Sequence, residues 1–260
     1  MEIQINQLNR AEIFTNLFQH IKLFTEHINV NFKTDSLFIQ AMDRSHVSIF
    51  EIHLPKSWFD VYTIEPPNGI TLGINTTLIY RVLHSRDKGQ RICIKYDETN
   101  DDKLQLHMNS ESNVNFDKHF EVPLIDIDLE MMDIPAIEYH AEFSLQSLSF
   151  STLIDQLKMF GDTLQIKCSE EKIQLFSESM ESGKMIVDIP IDDLTSFAIE
   201  ENKELNISFS LIHLHNICLY SKITKEVDVF LNTDYPILIR YLLDDEDAKL
   251  LFYLAPKSDE

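Results

Sequence analysis

The stretch Leu17–Phe24, LFQHIKLF, returns in altered spelling as Leu153–Phe160, LIDQLKMF, displaced by 136 positions. Around the first copy Ile13, Phe14, Leu17, Phe18, Ile21 and Phe24 recur at intervals of three and four; around the second, Phe150, Leu153, Ile154, Leu157 and Phe160 do the same. Such spacing lays one apolar stripe along a helix and leaves the opposite face to water. Strand-like alternation follows each copy, at Leu37, Ile39 and Ala41 and, 136 positions on, at Ile173 and Leu175. Two more helical patterns, 72–86 (LGINTTLIYRVLHSR) and 208–222 (SFSLIHLHNICLYSK), close the halves. The runs RICIKY, KLQLHM, EVDVFL, PILIRY and KLLFYL read as strands. The economical reading is an α+β unit of antiparallel strands and two helices, present twice.

The 260 residues, 44% of them apolar, suffice for two domains with real cores. The boundary falls in FEVPLIDIDLEMMDIPAIEY, where acidic and apolar residues alternate between Pro123 and Pro135. We expect a first domain over 1–118, a connector over 119–137 and a second domain over 138–260. The connector's apolar members, Leu124, Ile125, Ile127, Leu129, Met131 and Met132, either cling to a sheet or form a docking edge. No apolar run approaches the ~18 residues of a membrane span, and MEIQINQLNR lacks the pattern of a secretory signal, so a soluble intracellular protein without membrane partners is expected. Cys93, Cys168 and Cys218 lie far apart and read as buried free thiols. With five glycines and neither G-x-x-x-x-G-K-S/T nor G-x-G-x-x-G, no phosphate cradle is present.

The net charge of −21 argues against nucleic acid only if it is evenly spread. It is not. The four helical segments, 8–24, 72–86, 145–160 and 208–222, hold Arg10, Lys22, Arg81, Arg86, Lys158 and Lys222 against Glu12 and Asp155, six bases to two acids. The rest of the chain holds sixteen bases to forty-one acids. His20, His84, His213 and His215 lie in the same helical segments. Plain burial would deplete both signs alike. A mildly basic helical face on an acidic body can touch phosphates without reading bases, with a weak and salt-sensitive hold.

For an enzyme, the best constellation is His213-Leu214-His215 with the acidic run DDED, 244–247. On a helix, histidines two apart point about 200° from each other and cannot share a metal. There is no H-E-x-x-H, no nucleophile elbow and no complete calcium loop. We expect no catalysis, no metal and no cofactor.

Several motifs taken together resemble the proliferating cell nuclear antigen family, the eukaryotic and archaeal DNA sliding clamps. They are AMDRSHVSIFEIHL (41–54), WFDVY (58–62), LGINTTLIYRVL (72–83), DIDLEMMDIP (126–135), FGDTLQIKC (160–168) and LFYLAPK (251–257), in order over nearly the whole chain. The resemblance implies two clamp domains per chain and a head-to-tail homotrimeric ring, with sheets outside and helices lining a hole that holds double-stranded DNA of any sequence. It further implies a processivity factor and docking platform for DNA polymerase and other proteins with PIP-box-like peptides in replication and repair. A clamp loader would be a partner, and the site of action the nucleus, or a viral replication compartment if a virus encodes the chain. Rival duties within the family are one subunit of a heterotrimer, a checkpoint clamp or a monomeric processivity factor.

By the same resemblance, Arg10, His20, Lys22, Arg81, His84, Arg86, Lys158 and Lys222 face DNA. Met42, His46, Val47, Met132, Ile134, Pro236, Tyr253, Ala255, Pro256 and Lys257 form the peptide pocket, an apolar recess of adaptable Met, flat Pro and a Tyr beside a connector backbone able to pair with an extended peptide. The ring-closing edge strands fall near 110–117 and 173–179, represented by Ser110, Asn113, Asn115, Ile173, Leu175, Ser177 and Ser179. This chain departs from the family at Thr15, Asn16 and Asp155, which replace usual bases and make the hole less positive. Asp133 stands where the connector commonly has glycine, and Glu170 where the family has a lysine for ubiquitin attachment.

Overall fold

The computed structural model describes residues 1–100, 102–110, 116–128, 131–243 and 247–257. Two compact units emerge. One comprises Met1–Arg44, Glu51–Met132 and Asp244–Ala248; the other comprises Ser45–Phe50, Asp133–Leu243 and Lys249–Glu260.

The first run of elements is β1 (Glu2–Ile5), α1 (Leu8–Phe24), β2 (His27–Phe32), β3 (Ser36–Met42), β4 (Ser48–Pro55), β5 (Val61–Thr63), β6 (Ile70–Asn75), α2 (Thr76–His84), β7 (Arg91–Lys95), β8 (Lys103–Asn109) and β9 (Lys118–Pro123). The second repeats it: β10 (Ala141–Gln146), α3 (Ser147–Leu157), β11 (Thr163–Cys168), β12 (Lys172–Ser179), β13 (Gly183–Pro190), β14 (Ser196–Ile199), β15 (Leu205–Ser210), α4 (Leu211–Cys218), β16 (Glu226–Leu231), β17 (Ile237–Leu242) and β18 (Lys249–Leu254). The duplicated α+β reading holds element by element.

In the first unit a five-stranded sheet runs β5-β1-β7-β8-β9, and a second ladder runs β4-β3-β2-β6. In the second unit the corresponding orders are β14-β10-β16-β17-β18 and β13-β12-β11-β15. Every pairing with a described register is antiparallel, for example Ile3 opposite Ile94 and Ile166 opposite Leu175. The helices of each unit lie side by side, α1 with α2 and α3 with α4. The stripe residues Ile13, Phe14, Leu17, Phe18, Ile21 and Phe24 are all buried, as are Phe150, Ile154 and Leu157. Each such side chain contributes roughly 1.5–3 kcal/mol by leaving water. Aromatic contacts thicken both cores: Phe14 with Phe18 at 5.1 Å, and Tyr220 with Phe252 at 5.1 Å.

Three helical expectations need trimming. Leu72–Asn75, Leu145–Gln146 and Ser208–Ser210 are strand, because β6, β10 and β15 run directly into α2, α3 and α4 with no loop between. The switch is made at Asn75, whose side chain accepts a hydrogen bond from Leu78 N at 2.9 Å and satisfies an orphan amide of the first turn. The cysteines are free, with Cys168 and Cys218 buried and Cys93 half-buried. Burial pushes the Cys168 thiol up to about 11, which leaves it inert.

Candidate functional site

The residues expected to face DNA separate into two groups. Arg10 is half-buried on the first turn of α1: its guanidinium donates to Trp58 O at 2.7 Å and lies 5.7 Å from the Trp58 ring centre. Arg86, past the end of α2, donates to Gln90 O at 2.9 Å, and burial lowers its pKa. Both hold local turns to their unit, a sufficient reason for a base in either place. Lys22 differs. In the last turn of α1 it sets its ammonium 3.9 Å from the ring centre of Tyr80 on α2, and the Tyr80 hydroxyl meets His84 Nδ1 at 3.2 Å. Arg81 and His84 are exposed on α2, so Lys22, Tyr80, Arg81 and His84 gather on the α1–α2 pair. His20 is half-buried on α1.

In the second unit Lys158 caps the end of α3, Lys222 ends the 3-10 turn after α4, and both are exposed. Between the helices Asp155 Oδ1 lies 2.6 Å from His215 Nδ1. His213 points elsewhere: Nδ1 meets Ser210 Oγ at 2.8 Å, and Nε2 meets Ser45 Oγ at 2.9 Å. The two histidines thus serve different neighbours, as their helical spacing requires. Asp244, Asp245 and Glu246 of the acidic run lie outside the described residues.

The edge-strand expectation is corrected. Ile173, Leu175, Ser177 and Ser179 lie on β12, which pairs with β11 on one side and β13 on the other. Ile173, Leu175 and Ser177 are at most 1% exposed, so they are core. The edges of this sheet are the next strand, β13, and β15 on the far side. On the first unit, the described members of the expected segment, Ser110, Phe116 and Asp117, precede the edge strand β9. Ser110 lies just past β8, and Asn113 and Asn115 lie outside the described residues. In both units the expectation stopped short of the strand that ends the sheet, at β12 rather than β13 and ahead of β9.

The pocket residues are divided between the units. Val47 O accepts from Ala255 N at 3.0 Å. The β17–β18 register, with Leu238 opposite Tyr253, sets Pro236 at the same corner as Ala255 and Pro256. His46 is exposed and left-handed, with φ of 60°. Lys257 N donates to Ser208 O at 2.8 Å, and its ammonium donates to Thr163 Oγ1 at 2.6 Å. Ile134 also belongs to the second unit and is half-buried, whereas Met42 and Met132 belong to the first.

Sequence reasoning missed how the segment after β9 is fastened to the first unit. Ile125 N donates to Gly73 O at 3.0 Å, and Asn29 Nδ2 donates to Ile127 O at 3.2 Å. The Gln40 amide takes both backbone groups of Met132, donating to its O at 2.9 Å and accepting from its N at 2.7 Å. A Cβ on Gly73 would sit 2.0 Å from Ile125 O, so only glycine allows this approach. One signal was available: an isolated glycine inside a strand marks close backbone approach. Asn29 and Gln40 carry no such mark. The segment therefore clings to the β6-β2-β3 ladder, and the expected connector start at 119 falls inside β9.

A basic helix pair, a repeated unit and a fastened segment joining the repeats now stand together. The family model for the N-terminal domain of proliferating cell nuclear antigen matches residues 3–132, and that for its C-terminal domain matches residues 133–258. The proliferating cell nuclear antigen of Chaetomium thermophilum is 27% identical over 258 residues, covering 96% of each chain. The seam between the two matches falls where the units divide, between Met132 and Asp133. Matched in order through both halves, the chain belongs to the proliferating cell nuclear antigen family of DNA sliding clamps.

Proposed function

We propose that the chain closes into a homotrimeric ring around duplex DNA, holds a polymerase to its template and offers a docking surface to peptide-bearing replication and repair proteins. The observation that carries the reading is that β9 on the first unit and β13 on the second each end a sheet, with no further strand partner among the described residues. An edge strand is a template for pairing, and two different edges on one chain favour a head-to-tail contact that forms a ring when its rotation closes. Half-exposed Ile186 on β13 supplies apolar surface for such a contact.

The helix pairs would then supply the DNA side. Lys22, Arg81, Lys158 and Lys222 are cations on flexible stems or helix ends, with the His84 ring beside the first two, suited to phosphate contact rather than base reading. The corner of Val47, Pro236, Tyr253, Ala255 and Pro256 would take the peptide's aromatic plug. A clamp loader would open the ring, and the work would take place in the nucleus or in a viral replication compartment.

Light scattering on the purified chain tests the ring directly. A mass of three chains supports it, whereas a stable single-chain mass favours a monomeric processivity factor or a subunit awaiting different partners. Tyr253→Ala with Pro256→Ala should weaken a PIP-box peptide while leaving the ring's mass unchanged; undiminished binding would remove the docking assignment.

A further inference from the structure

His213 is the half of the His213-Leu214-His215 pair that the DNA-facing reading leaves without a role, and its contacts to Ser210 and Ser45 join segments that are otherwise distant in sequence. Starting from the loop between β3 and β4, Val47 O accepts from Ala255 N at 3.0 Å. Two residues on, Lys257 N donates to Ser208 O at 2.8 Å. Two residues further along β15, Ser210 Oγ meets His213 Nδ1 at 2.8 Å, and His213 Nε2 meets Ser45 Oγ at 2.9 Å. Ser45 is two residues from Val47, so the circuit closes.

Between its two ends sits His46, held at φ 60°, a conformation disfavoured for a residue with a Cβ. Such a residue persists only when its neighbours fix it from both sides. Val47 is fixed through Ala255 and Ser45 through His213. We propose that His213 is a positioning residue for peptide docking: it fixes the Ser45–Val47 loop in register with Ala255–Lys257, so that His46 and Val47 stand ready for the peptide. Hydroxyls donate or accept as needed, so the bridge can form with either neutral tautomer of the ring. The inference rests on the docking reading, yet the loop itself can be observed without a peptide.

The test uses the full chain, a fluorescein-labelled PIP-box peptide read by anisotropy, and amide exchange at residues 45–47. In His213→Gln the longer amide still reaches Ser45; in His213→Asn the shorter one reaches only Ser210. Loss of a hydrogen bond of this kind predicts peptide binding about five- to tenfold weaker in His213→Asn and Ser45→Ala, and within about twofold of wild type in His213→Gln. Exchange at 45–47 should rise in His213→Asn and not in His213→Gln. The double variant His213→Asn with Ser45→Ala should be no weaker than either single one, because both remove the same bridge. Wild-type affinity with wild-type protection in His213→Asn overturns the inference, as does an equal loss in the Gln and Asn variants. A wild-type chain that ignores the peptide defeats the docking reading instead, and exchange still decides whether His213 holds the loop.

Discussion

In the first unit Lys22 rests on the Tyr80 ring and Arg81 stands exposed beside it; in the second, Asp155 and His215 bridge the helices at 2.6 Å. The elements correspond. The fifth residue of α2 is Tyr80 and that of α4 is His215; the sixth is Arg81 in one and Asn216 in the other. Lys22 and Lys158 are 136 positions apart, the spacing of the repeat itself. Packing has therefore been kept on the buried stripes, while the outward positions have gone separate ways. A face set by aromatic support leaves its cation available to phosphate, whereas a carboxylate between helices cancels part of its neighbours' field.

The largest expected effect comes from charge reversal in one unit at a time. Lys22→Glu with Arg81→Glu should cut processive synthesis about tenfold at ~0.1 M salt and reduce the salt slope of DNA retention by about two, one for each phosphate that is no longer neutralised. Lys158→Glu with Lys222→Glu should cost only about two- to threefold in the same assay. Equal losses would erase the contrast between the units.

A smaller effect should sharpen it. Asp155→Asn removes the carboxylate from the second helix pair, so retention of DNA should rise about twofold. Because both partners are substantially exposed, the weakened Asp155–His215 contact should lower stability by less than about 1 kcal/mol in denaturant melts. Retention unchanged by Asp155→Asn would mean that this face does not meet DNA.

The smallest effect concerns pH. His107 on β8 faces His119 on β9 across the edge of the first unit, and β17 and β18 carry no histidine. Cys93 and Lys95 on β7, Gln105 on β8 and Glu121 on β9 share its face of the sheet. Burial, then the charges of His119 and Lys95, hold the His107 pKa below the ordinary histidine value. A base depressed in the fold gives its full stability above its unfolded pKa, near ~6.5. As pH falls below that value the unfolded chain takes up the proton first, and stability declines. Between pH 7.5 and 5.5 the melting midpoint should fall about 1–2 °C more in wild type than in His107→Gln. Parallel profiles would show that His107 does not titrate with folding.

How far the chain could be read follows from where its signals lie. Apolar periodicity is local, so both long helices, the repeat and its spacing were plain in the sequence. The start of α2 was misplaced because LGIN is as apolar as the helix it enters, and only the Asn75 cap distinguishes them. The edge strands were misplaced for a different reason: β12 and β13 both alternate, and which one stands outermost depends on pairing between strands, which one chain's periodicity does not encode. Lys22 and Arg81 were singled out by charge, and both lie on the α1–α2 pair. Arg10 and Arg86 belonged to the same count, but their partners are backbone carbonyls, which have no letter in a sequence. The same is true of Gln40 and Asn29, whose targets are the backbones of Met132 and Ile127.

The fourth residues of β6 and β15, Gly73 and Ser208, receive the segment leaving the last strand of their own unit, through Ile125 N and Lys257 N. Each unit thus steers its outgoing backbone by the same carbonyl. A designer wishing to join copies of this chain end to end therefore has a native exit path at Lys257, already shaped like the one that carries the polypeptide from the first unit into the second. A tandem fusion built on that path would begin with the departure geometry that the protein uses once within itself.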